Sequence, residues 1–90
     1  MMFEPPWTYP EKINIDQQIG ELRRERALRV GVYSKMVRSG SLKEKYAAYQ
    51  MGAIDACIAT LEYMRDNRAV IVAAVAEQRE IENNIARQHA

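Results

Sequence analysis

Ninety residues with a formal net charge of +1, 48% hydrophobic and 28% charged, fit one small folded domain and exclude a disordered or fibrous chain. The near-neutral balance removes any overall attraction to nucleic acid or anionic lipid, and a domain this small needs tight helix packing or a partner subunit for part of its stability. Cys57 is the single cysteine, so no intrachain disulfide can form and a reducing cytoplasm is the expected location.

The chain divides into an extended arm, residues 1–13, and one helical domain, residues 14–90. Pro5, Pro6 and Pro10 remove amide donors and hold their neighbours extended. Phe3, Trp7 and Tyr9 alternate along the arm, which is expected to lie over a groove between helices of its own or a neighbouring subunit. Glu4 and the lack of a basic residue before an apolar run argue against a secretory signal.

The first helix is predicted over about residues 15–38, capped by Asn14 or Asp16. Its apolar face is Ile15, Ile19, Leu22, Val30, Tyr33, Met36 and Val37. Arg26 and Arg29 fall within that arc, where guanidinium groups need partners, and both are expected to pair with acids of the second helix. Residues 21–45 hold eight Lys and Arg against three Glu, whereas residues 46–90 hold four Arg against six acids. Pairing inside or between subunits is therefore the favoured use of the basic helix. The other use would set the outward Arg23, Arg24, Lys35 and Arg38 against the phosphates of a nucleic acid.

Gly40 suits the left-handed residue after a helix end, and Ser41 with Glu44 reads as a capping box for a second helix over about residues 42–65. Folding back at that turn sets Arg26 beside Asp55 and Arg29 beside Gly52, since both helices rise about 1.5 Å per residue. The second helix carries two apolar seams. One is Leu42, Tyr46, Tyr49, Ala53, Ala56, Thr60 and Tyr63; the other is Ala47, Met51, Ile54, Ile58 and Leu61. Two seams call for two partners. The first helix supplies one, and Met51, Ile54, Ile58 and Leu61 are the expected interface with a second subunit, unless the Ala69 to Ala76 run of the same chain covers them.

Asp66 and Asn67 favour a turn before a third helix over about residues 68–88, although the second helix can also continue, because neither proline nor glycine follows Gly52. No membrane span is expected, since residues 46–54, the longest uncharged stretch of the helical region, fall far short of the roughly 20 residues needed. Catalysis, metal binding and phosphate cradling have no visible machinery. His89 is the single histidine, and glycines 20, 31, 40 and 52 are scattered. No enzymatic activity, cofactor or metal is expected.

Two resemblances bear on function. The stretch from Arg23 to Lys35 is loosely similar to the first helix of the helical chorismate mutases, in which an arginine and a lysine eleven residues apart bind substrate. Arg24 and Lys35 match that spacing, whereas the family's later acid and arginine pattern and its longer connection are absent. A wider match is carried by Glu21, Leu22, Arg24, Arg29, Val32, Tyr33, Val37, Ser39, Gly40, Leu42, Ala47, Met51, Ile54, Ile58 and Leu61. This pattern resembles short helical-hairpin proteins of bacteriophages, prophages and their hosts. Ser34 stands where that family usually has proline, so a straighter first helix is implied. The resemblance implies a hairpin without catalytic residues. Together these readings predict an all-α protein, an antiparallel hairpin plus a C-terminal helix, that works through association as a homodimer or with another protein.

Overall fold

A computed structural model describes residues 4–89 of the chain; Phe3, counted above in the aromatic arm, lies outside them. The protein is all-α, with α1 at Ile15–Ser39, α2 at Glu44–Asp66 and α3 at Arg68–Gln88. Asn14 opens α1. Its Oδ1 accepts from the Gln17 N–H at 2.8 Å, and Gln17 Oε1 accepts from the Asn14 N–H at 2.9 Å, a reciprocal cap that satisfies two exposed amides. Gly40 closes α1 at φ 81°, its N–H donating to the Val37 carbonyl at 3.1 Å. A residue with a Cβ would be strained in that conformation.

Ser41 does not cap α2. Its hydroxyl lies 3.0 Å from that of Ser39 and 3.3 Å from the Met36 carbonyl, so it serves the end of α1. Lys43 then occupies the cap position of α2 with no side-chain bond, and the helix starts two residues later than the capping box predicts.

Three ion pairs set α2 against α1. Arg26 Nε donates to Asp55 Oδ1 at 2.5 Å, Arg23 lies 3.4 Å from Glu62, and Arg65 lies 3.5 Å from Asp16. Positions rise along one helix as they fall along the other, and the expected meeting of Arg26 with Asp55 is present. Arg29 departs from expectation. It bonds Glu25 Oε1 at 3.0 Å, one turn back on its own helix, because the part of α2 at its level, around Gly52, offers no carboxylate. Between the helices lies a small core. Among the described residues only Ile19, Ala47, Ile54 and Ile58 are buried apolar side chains, flanked by half-buried Leu22, Tyr33, Met36, Val37, Met51 and Leu61.

One residue separates α2 from α3. Asn67 (φ −109°, ψ 16°) leaves the helical region, yet its N–H donates to the Tyr63 carbonyl at 3.0 Å and its own carbonyl accepts from the Ile71 N–H at 3.0 Å. These two bonds tie α3 to the end of α2 across the one non-helical residue. The molecule measures 65 Å along its longest axis, close to the about 67 Å that residues 44–88 span at 1.5 Å each. Accordingly α3 prolongs α2 rather than folding back. The radius of gyration, 20.4 Å, far exceeds the about 12 Å of a compact chain of this length.

The arm's described aromatic residues do not pack on helices of their own chain. Trp7 and Tyr9 stay exposed. Its end, at Pro10, Lys12 and Ile13, instead borders a groove of about 660 Å³ with Gln17, Glu21, Leu22 and Leu61.

Candidate association surface

The structure decides which seam of α2 is internal. Ile54 and Ile58 are 5% and 7% exposed, with Met51 and Leu61 half-buried beside them, and α1 is the helix that covers them. The residues expected to meet a second subunit are therefore spent within the chain. The reason lies in charge. At about 100° per residue, Asp55 and Glu62 sit nearer the Ile54 and Ile58 seam than the tyrosine seam. Once they hold Arg26 and Arg23 of α1, the aliphatic seam must turn inward.

The outer seam is left open. Tyr49 is 72% and Tyr63 66% exposed, Tyr46 is exposed, and Ala53, Ala56 and Thr60 between them are exposed as well. Lys45 Nζ stands 5.3 Å from the centre of the Tyr46 ring at the margin of this seam, a cation–π contact that leaves the opposite ring face available. Thr60 Oγ1 donates to the Ala56 carbonyl at 3.0 Å, so its hydroxyl is satisfied and its methyl remains for packing.

The apolar face of α3 continues the same stripe. No described residue of α3 is buried; Val70 is 69% exposed, and Val75, Ile81 and Ile85 are also open. Counted at about 100° per residue straight through Asn67, Ile71, Ala74, Ile81 and Ile85 fall in the same arc, about 80° wide, as Tyr49, Ala53, Thr60 and Tyr63. A groove of about 450 Å³, lined by Leu22, Ala56, Cys57, Thr60 and Leu61, runs beside the stripe. Both seams are visible in the sequence, but not which of them α1 covers. The pairing of Arg26 with Asp55 is the signal that separates them.

The outward basic residues form a weaker site. Arg24 is ion-paired with Glu21; that hydrogen bond holds the Glu21 carboxyl below its ordinary range and raises Arg24 further. Arg23 faces Glu62 at 3.4 Å, and Arg38 Nε donates to the Ser34 carbonyl at 3.2 Å. Among the described residues Lys35 has no ion-pair partner within bonding distance. With two of the four cations neutralised, a short DNA duplex at low ionic strength should show no change in fluorescence anisotropy. Binding that weakens with salt and with Lys35→Glu would establish the nucleic-acid surface instead.

No group of three or more His, Cys, Asp or Glu converges among the described residues, and no helix is long and apolar enough to cross a membrane. Arg24 and Lys35, the pair matching the chorismate mutase spacing, face outward on α1, with Arg24 engaged by Glu21. Comparison of the chain with protein-family models, curated proteins and solved structures finds no significant match.

Proposed function

We propose that this chain is a non-enzymatic assembly protein that works as a homodimer through the stripe running from Tyr46 on α2 to Ile85 on α3, with the α1–α2 hairpin as its folded support. Its resemblance to phage and prophage helical-hairpin proteins suggests a role in a mobile genetic element. One observation carries the reading. The large apolar side chains Tyr49, Tyr63, Val70, Ile81 and Ile85 all stand exposed along α2 and α3, while among the described residues four apolar side chains are buried. Contiguous apolar surface of this extent is what soluble proteins cover with a partner.

Sedimentation equilibrium of the full chain tests this directly. The expected result is a monomer–dimer equilibrium at micromolar protein. A monomer at every concentration would remove the homodimer and leave the stripe to a different protein.

A further inference from the structure

We propose that a second copy of this chain lies antiparallel along the stripe, on a two-fold axis through Asn67, so that α3 of each copy covers the outer α2 seam of the other. This register rests on the stripe being a dimer surface, and adds to it which residues meet.

The first support is the symmetry of the stripe about the joint. Counting from Asn67 toward the N-terminus, its members fall 4, 7, 11, 14 and 18 residues away, at Tyr63, Thr60, Ala56, Ala53 and Tyr49. The same counts toward the C-terminus reach Ile71, Ala74, Gln78, Ile81 and Ile85. An antiparallel pair centred on Asn67 therefore matches every member with one on the other copy, as an isologous contact requires. None of these positions is charged.

Size is the second support. Tyr63 meets the partner's Ile71, Ala53 meets the partner's Ile81, and Ala56 meets the partner's Gln78. At Ala53 and Ala56, where α2 is thinnest, a small side chain thus faces a larger one, whereas Tyr63 and Tyr49 meet isoleucines and Thr60 meets the partner's Ala74. A parallel pair would instead set alanine on alanine and tyrosine on tyrosine along the same helix, leaving gaps between crowded layers.

The groove beside the seam gives the third. Bounded by Leu22, Ala56, Cys57, Thr60 and Leu61, it opens next to the position that the partner's Ala74 takes over Thr60. The adjacent Val75 of that partner, exposed in the single chain, fills it. The covering helix is not obstructed, because α1 lies about 140° away around α2.

The contact is large enough for a stable dimer. From Tyr49 to Ile85 the paired face is about 55 Å long and about 10 Å wide, about 550 Å² per copy, so the pair buries about 1,100 Å², above the about 1,000 Å² expected of a specific interface.

Cysteine pairing tests the register. In a Cys57→Ser background, Ala53→Cys and Ile81→Cys variants are mixed, exchanged and oxidised, and the joined peptides are read by mass spectrometry. The mixture should yield a linkage between positions 53 and 81, and neither variant alone should cross-link. Thr60→Cys mixed with Ala74→Cys provides a second pair should either first variant lose helicity by circular dichroism. A dimer in sedimentation that links 53 to 53 or 81 to 81, or that gives no linkage from either pair, overturns the register while the assembly reading stands. A monomer throughout overturns both.

Discussion

Ile58→Asp should unfold the protein. Ile58 is 7% exposed on the seam that α1 covers, and removing a buried isoleucine side chain typically destabilises a domain by about 2–5 kcal/mol. The carboxylate adds a desolvation penalty, because the nearest cations, Arg23 and Arg26, are already held by Glu62 and Asp55. The combined loss, at least about 4 kcal/mol, approaches the whole stability of a small domain, about 5 kcal/mol at the lower end of the usual range. Circular dichroism at 222 nm should show most of the helical signal lost at 25 °C. A variant that kept a cooperative thermal transition near that of the parent would mean that the Ile54 and Ile58 seam is not the core.

Ala53→Asp, the same acid five positions earlier in sequence on the other seam, should leave the fold and dissolve the dimer. Ala53 is exposed in the single chain, so the hairpin loses only helix propensity, about 0.6 kcal/mol or less. In the proposed dimer the carboxylate would face the partner's Ile81, and the two-fold axis would place it there twice. Even about 1.4 kcal/mol per copy weakens the dissociation constant about a hundredfold. Sedimentation should therefore find a folded monomer where the parent is a dimer. Unchanged association would free the outer seam from any part in the contact. The two variants together distinguish a core seam from an interface seam by one chemical change.

Much of this arrangement is legible in the sequence. Asn14 and Gly40 mark the bounds of α1 because each satisfies a specific backbone need, an amide acceptor in one case and a positive φ in the other. The break at Asn67 follows from two residues that favour caps over helix interiors. The meeting of Arg26 with Asp55 follows from chain reversal at Gly40 and equal rise in both helices. The role of Ser41 is less accessible, since one hydroxyl serves either helix end and the choice depends on how tightly the turn closes.

The identity of the inner seam is harder to read, because both seams of α2 are apolar and have the same period. Hydrophobicity alone gives no preference between Tyr49 and Tyr63 on one side and Ile54 and Ile58 on the other. The acids settle it: Asp55 and Glu62 flank the aliphatic seam, and α1 brings the arginines that need them. The mirror spacing about Asn67 emerges only when α3 is known to prolong α2, which depends on the hydrogen bonds at the joint.

The bare flanks of α3 tie shape to concentration. A helix of 21 residues with no described side chain buried draws little support from tertiary contacts, the usual source of helical stability in proteins. In the proposed dimer each α3 would gain its missing contacts from the other chain, so dilution below the dissociation constant should loosen that limb before the α1–α2 pair. Helix content measured against protein concentration would then report the association itself.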